Sequence, residues 1–168
     1  ISGTSGDDLL IGTNDADVIQ GFSGNDTLSG GLGNDILVGE SGDNVLNGDD
    51  GDDTVNGGSG NDTLNGGNGH DVMFAGAGQD ILNGDAGDDI MSGFTGNDVM
   101  NGGLGNDRLS GGDDDDILHG NDGDDLLNGE NGHDQIFGDD GIDTIFGAAG
   151  NDTLDGGAGN DTLDGGAG

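Results

Sequence analysis

Large aliphatic residues recur at every ninth position of the chain, from Leu10, Ile19 and Leu28 through Leu64 and Leu82 to Leu154 and Leu163. Two residues before all but one of them stands an aspartate, and glycines fill most of the space between. Gly57–Asn65 reads GGSGNDTLN, with near-copies at Gly30–Val38, Gly102–Ser110 and Gly156–Asp164. The template is G-G-x-G-x-D-x-U-x, with U a large aliphatic residue. Stepping by nine from Gly3 lays 18 copies end to end as far as Asp164, without insertion or deletion. Residues 165–168 begin another copy. An aspartate and an aliphatic residue two apart point to the same side of an extended chain. The pattern therefore predicts a tight glycine loop feeding a strand of about three residues, with one apolar contact per repeat.

Each column has its own chemistry. The first position is Gly except at Ala75, and the fourth is Gly except at Asp15 and Asp114. Glycines at these two places are expected to supply backbone angles that a side chain forbids. The sixth position is Asp in 17 of 18 copies, with Asn44 the exception. The second and third positions vary widely. The seventh is rich in Val, Ile and Thr, as strand propensity asks. A strand so short cannot stand alone, so the copies must stack on one another.

The nonapeptide resembles the glycine- and aspartate-rich RTX repeat of haemolysin-type secreted bacterial proteins, a calcium-binding β-helix repeat. The likeness covers residues 3–168. It implies an all-β fold, a right-handed parallel β-roll (a β-solenoid) with two nonapeptides per turn. Odd repeats would form one sheet and even repeats the other. Eighteen repeats then give about nine turns, roughly 40 Å long at ~4.8 Å per strand. Residues 18 apart become vertical neighbours, and Asn47, Asn65, Asn83 and Asn101 should stack as an exposed ladder.

Composition changes the picture in one respect. Hydrophobic residues are 28%, Gly numbers 43, and Trp, Tyr, Pro and Cys are absent. Arg108 is the one basic Lys or Arg residue against 36 acidic ones, for a formal charge of -35. A chain of this kind cannot offset its conformational entropy by burial, so it needs help from outside the sequence to fold. Its charge repels nucleic acid, anionic lipid and acidic polysaccharide. It attracts cations, and oxygen ligands suit hard ones such as Ca²⁺. Without Cys there are no disulfides or thiolate sites. No apolar run approaches membrane-spanning length, and no signal-peptide pattern is present. With no linker or composition break, residues 1–168 are expected to form one domain, a fragment of something longer.

The RTX pattern implies a ligand set. One loop offers its second and fourth carbonyls and its sixth-position carboxylate. The loop one turn later offers its first and third carbonyls and its own carboxylate. One such site would comprise the carbonyls of Gly58 and Gly60 with Asp62, and the carbonyls of Ala75 and Ala77 with Asp80. The carboxylates implied along the chain are Asp8, Asp17, Asp26, Asp35, Asp53, Asp62, Asp71, Asp80, Asp89, Asp98, Asp107, Asp116, Asp125, Asp134, Asp143, Asp152 and Asp161. Asn44 is a weakened position. About 16 gaps between stacked loops could hold about 16 ions. Their charge of about +32 nearly balances the formal -35. A column serving only solubility would not need an every-ninth register.

Other chemistry is weakly signalled. Glu40 and Glu130 have Ser29 and His119 where an EF-hand loop needs its first ligand, so that motif is excluded. His70 and His133 in the fifth column, and His119 in the ninth, read as exposed variants. Phe22 and Phe94, both in the second column, read as loop packing. No Ser–His–Asp grouping or phosphate loop is specified, and the chain is not expected to be an enzyme. The leading role, by resemblance, is a module disordered without Ca²⁺ that folds outside the bacterial cell and serves type I secretion of a larger protein. Alternatives are an extracellular scaffold, adhesin stalk or self-assembling filament, with end-to-end association, and a less supported ice-binding face.

Overall fold

The computed structural model describes residues 1–168. Eighteen strands follow one another from Leu9–Ile11 and Val18–Ser23 to Thr153–Asp155 and Thr162–Asp164, with no helix among them. Strands from odd repeats form one nine-stranded sheet and strands from even repeats a second, and every pairing is parallel. Partners lie 18 residues apart, as in Leu46 with Leu64 and Leu64 with Leu82. The molecule is thus a β-solenoid of two repeats per turn and about nine turns.

The two sheets meet through the eighth column. Ile19, Leu28, Leu64, Met73, Leu82, Leu118 and Ile145 are among its fully buried members, and Ala75 joins them. Burial relaxes only at the ends, where Leu10 and Leu154 are partly covered and Leu163 is 44% exposed. On the outside of the odd sheet, the Asn65 amide donates to Asn47 (2.7 Å), Asn83 to Asn65 (2.8 Å) and Asn101 to Asn83 (3.0 Å). The expected ladder of four asparagines is therefore present.

The strands are longer than the three residues expected. From Val18–Ser23 to Gln135–Asp140 each has six, running from the seventh position of one repeat to the third of the next. Pairing skips the first position. Thr63, Leu64 and Asn65 pair with Ile81, Leu82 and Asn83, and Gly67 and Asn68 resume with Asp85 and Ala86. The strand bends there without losing its ladder, because the second position is left-handed.

That bend corrects the expected division of labour between columns. First-position glycines do not adopt left-handed angles; what they lack is room. A methyl group on Gly57 would lie 2.5 Å from Oδ2 of Asp62 and 2.8 Å from the carbonyl oxygen of Ala75. Nor is the second column free to vary, since it carries the left-handed residue in every full repeat from Phe22 onward. Phe22 (φ 77°), Glu40 (75°), Asp49 (75°), Asn121 (74°) and Ala148 (68°) share this conformation with Gly58 (111°) and Gly67 (112°). No β-branched residue stands among them, as steric crowding demands. At the fourth position Asp114 is left-handed (83°), whereas Asp15 is not.

Candidate metal centre

The sixth-position aspartates point inward with the core aliphatics and are almost wholly buried; Asp26, Asp62, Asp98 and Asp143 are each 1% exposed. They stack in two columns, one along each edge where the loops pile up. Within a column the two carboxylate oxygens have different fates. Oδ1 accepts the backbone N–H of the aspartate one turn earlier. Asp35 donates to Asp53 and Asp53 to Asp71, while Asp62 donates to Asp80, all at 2.7 Å. This bond recurs from Asp8, donating to Asp26, to Asp143, donating to Asp161. It fixes every carboxylate in one orientation.

Oδ2 is left over. In fourteen of the seventeen aspartates, from Asp26 to Asp152, it is buried and has no hydrogen-bond donor. An orphaned buried carboxylate oxygen is costly and calls for an explanation. Acceptor oxygens lie near it. Asp62 Oδ2 and the Ala75 carbonyl oxygen both converge on the space that the missing Gly57 side chain leaves. The Gly60 carbonyl faces the Cα of Gly78, and the Gly58 carbonyl that of Gly76. The Ala77 carbonyl accepts the N–H of Gly60 at 2.9 Å and keeps one lone pair. Asp80 stands one turn on, its Oδ1 holding the N–H of Asp62. The six residues of the expected ligand set thus lie on two loops stacked in register, with Asp62 Oδ2 and the Ala75 carbonyl turned to the same space. Oxygens without donors around a carboxylate fit a hard cation.

No three acidic or histidine side chains converge on a single point. Any cation here must draw most of its ligands from backbone carbonyls, two carboxylates at a time. The electrostatics agree. Burial pushes Asp89, Asp98, Asp116 and Asp125 up to about 7, and Asp53 and Asp62 up to about 6. The donated backbone N–H opposes the shift at each of them. Stacked carboxylates add to it, as Asp71 and Asp35 do at Asp53. Asp71, Asp80, Asp107, Asp134 and Asp143 are raised for the same leading reason.

Four positions depart from this pattern. Asn44 is buried like its neighbours, and its Oδ1 accepts the N–H of Asp26 at 3.0 Å. Its Nδ2, standing where Oδ2 would be, donates to the Gly42 carbonyl at 2.9 Å. The amide thus fills the gap itself. Asp8 and Asp17 are half-buried, and in each Oδ2 accepts the N–H and hydroxyl of a threonine. Asp161 closes the even column, half-buried.

A second ladder escaped the sequence reading. On the outer side of the loops, the fifth-position side chain accepts the N–H of the fifth residue one turn later. Asp7 receives Asn25, Asn25 receives Asp43, and Asp43 receives Asn61, at 2.8 to 3.0 Å. His70 and His133 are members of it rather than loose variants. His70 Nδ1 accepts from Asp88 (2.8 Å) and His133 Nδ1 from Asn151 (2.9 Å), which places the ring proton on Nε2. The available signal was the Asn and Asp bias of that column. His119 pairs with Asp139 at 3.1 Å and stacks on Phe137. Phe94 packs against Phe74, with ring centres 6.0 Å apart.

The family model of the RTX calcium-binding nonapeptide repeat (4 copies) matches the chain in overlapping segments. They are residues 2–37, 29–64, 38–73, 47–82, 74–109, 101–136, 110–145 and 137–168. A comparison with curated proteins finds no match.

Proposed function

The chain belongs to the RTX calcium-binding nonapeptide repeat family, and from that premise we propose that it is a folding module switched by calcium. The observation that carries this reading is the double row of buried Oδ2 atoms without donors, each beside backbone carbonyls. Stacked loops bind Ca²⁺ between the carboxylates of successive turns, in sites of the kind formed by Asp62, Asp80 and the carbonyls of Gly58, Gly60, Ala75 and Ala77. Without the ion, a chain of charge -35 stays disordered. With it, the loops lock and the thin core closes. Ions between loops should make folding cooperative, since each carboxylate is tied by its Oδ1 bond to the loop before it.

In the cell, this behaviour suits a segment of a larger secreted bacterial protein. Scarce calcium inside leaves the chain threadable through a type I exporter, and abundant calcium outside folds it. The module has no catalytic role. The test is a calcium titration followed by circular dichroism, with bound ions counted by native mass spectrometry. Folding in step with uptake of many ions, and none with magnesium at the same concentration, is expected, because Mg²⁺ holds its waters and demands a smaller octahedron. A chain fully folded in chelator would refute the reading.

A second role, end-to-end self-association into a scaffold, is favoured by the sheet edges. Leu9 and Ile11 on the first strand are 69% and 63% exposed, and the strand edge beside them has no partner. Light scattering with and without calcium tests it. A strictly monomeric loaded chain would count against it.

A further inference from the structure

We propose that the first two loops close without a cation, Thr4 and Thr13 supplying to Asp8 and Asp17 what calcium supplies elsewhere. The ion-binding series then begins at Asp26 and Asp35. This rests on the reading of the loop aspartates as calcium ligands, and concerns which of them are withdrawn from that task.

The cause lies in the second position. From Phe22 onward it is left-handed in every full repeat, whether occupied by Gly, Asp, Glu, Asn, Ala or Phe. Thr4 and Thr13 are the only β-branched residues in the column, and they alone stay out of that conformation. A branched Cβ is crowded when φ is positive. The bend is therefore made differently, and the N–H of each threonine turns toward the carboxylate of its own repeat. Thr4 N donates to Asp8 Oδ2 at 2.6 Å, and its hydroxyl reaches the same atom at 2.9 Å. Thr13 repeats this with Asp17 at 2.7 and 2.8 Å. The Gly6 N–H donates to the Thr4 hydroxyl at 3.3 Å, and the Asp15 N–H to that of Thr13 at 3.2 Å. Each of those bonds takes one hydroxyl lone pair and leaves the proton for the carboxylate, which in Thr13 is nearer (2.8 Å) than the other acceptor in reach, the Asp15 carbonyl (3.4 Å).

Two donors on Oδ2 satisfy the oxygen that is orphaned from Asp26 to Asp152. A cation bound there would have to break both bonds and face two N–H or O–H dipoles with their positive ends toward it. At the same time Asp8 and Asp17 keep the ladder intact, since their own N–H groups donate to Asp26 and Asp35 at 2.8 and 2.7 Å. The first turn thus joins the stack as a metal-independent cap. Nothing equivalent stands at the other end, where Gly157 and Gly166 return to left-handed angles of 79° and 72°.

The experiment compares the calcium-loaded wild-type chain with variants by native mass spectrometry and calcium titration. Asp17→Asn should keep the wild-type ion count, and the calcium needed for half-folding should stay within about twofold. Asp35→Asn should lose at least one ion and need several-fold more calcium. Thr13→Gly, which permits the left-handed bend and frees Asp17, should gain one ion, and Thr13→Gly/Asp17→Asn should lose it again. The proposal is overturned if Asp17→Asn loses an ion as Asp35→Asn does, or if a folded Thr13→Gly chain gains none. The Asp17→Asn comparison stands even if Thr13→Gly does not fold. Should Asp35→Asn also leave the count unchanged, the calcium reading of the column fails first.

Discussion

Replacing Asn44 with Asp should change the sign of its effect with calcium concentration. Asn44 is the one buried sixth-position residue that needs no ion, because its Nδ2 holds the Gly42 carbonyl at 2.9 Å. A methyl placed on Gly39 would meet Asn44 Nδ2 at 2.7 Å and the Gly57 carbonyl at 2.6 Å, so a second carbonyl converges on the same spot. Asn44→Asp removes a hydrogen bond worth about 1 kcal/mol and leaves a buried oxygen unsatisfied, costing about 1–3 kcal/mol or more for a charge. In return it completes a carboxylate in the odd column between Asp26 and Asp62. A site contributes about 1.4 kcal/mol when calcium is tenfold above its dissociation constant and about 2.7 kcal/mol at a hundredfold. The variant should therefore be less folded than wild type near the folding midpoint. It should become more stable once free calcium exceeds that site's dissociation constant by roughly thirty- to a thousandfold. Urea unfolding in a series of calcium buffers, read by circular dichroism, locates the crossing. The sequence marks Asn44 only as a weakened position; the Gly42 bond is what splits the effect. A variant more stable than wild type at every calcium level, or at none, would refute the reasoning.

Three further outcomes are expected. In chelator, folding should bind protons, because burial raises Asp53 and Asp62 to about 6 and Asp89, Asp98, Asp116 and Asp125 to about 7. Calcium-free stability is then fully present below about pH 4, where the unfolded chain is also protonated, and is lost as pH rises through about 7. Dichroism in chelator from pH 8 to 5 should show β structure growing, and a flat signal would contradict it. Leu64→Ala empties a fully buried core position and should cost about 2–5 kcal/mol in saturating calcium. Leu163→Ala, at a site 44% exposed, should cost far less in the same urea experiment. Asp114→Gly relieves a left-handed residue at φ 83° and should be neutral or stabilising by up to about 1 kcal/mol. Asp15→Gly has no such strain to relieve, and equal gains at both positions would be inconsistent with the backbone.

Period and column identity made the stack legible before any coordinates. An unbroken step of nine sets Leu64 and Leu82 in one column and Asp62 and Asp80 in another; the RTX likeness added two repeats per turn, and Leu64 does pair with Leu82. Local geometry was less legible, because glycine has two separate uses. Gly57 is glycine for want of space beside Asp62, and Gly58 because of its φ of 111°. Both look the same in a sequence. The left-handed second column is masked further by Phe22, Glu40 and Asp85, which accept the strain. The roles of His70 and Thr13 depend on which ring nitrogen or N–H faces the next turn, and spacing alone does not carry that information.

The Oδ1 ladder ultimately creates the electrostatic problem that the loops must solve. By fixing each carboxylate in the same orientation, it repeats one orphaned Oδ2 at every turn, about 4.8 Å from the next. Two such charges repel by roughly 3–4 kcal/mol at an effective dielectric of 20, and seven belong to each column. Only a positive group at the same place relieves this, and the chain offers three kinds. A proton does so in acid, and burial, with the stacked charges adding to it, raises these groups toward that state. A built-in donor does so at Asn44, through Nδ2, and at Asp8 and Asp17, through threonine. The third is a cation between loops. The built-in donors cannot serve throughout, because threonine forfeits the left-handed bend that brings the next strand back into its six-residue ladder. The strand at Leu9–Ile11, preceding Thr13, is indeed only three residues long, and the first to reach six is Val18–Ser23, which contains left-handed Phe22. Threonine at the second position and a six-residue strand do not occur together here, whereas Asn44 satisfies its own loop between the six-residue strands Ile36–Ser41 and Val45–Asp50. On the reading proposed above, an array with fourteen unsatisfied carboxylate oxygens leaves their charge to an external ion.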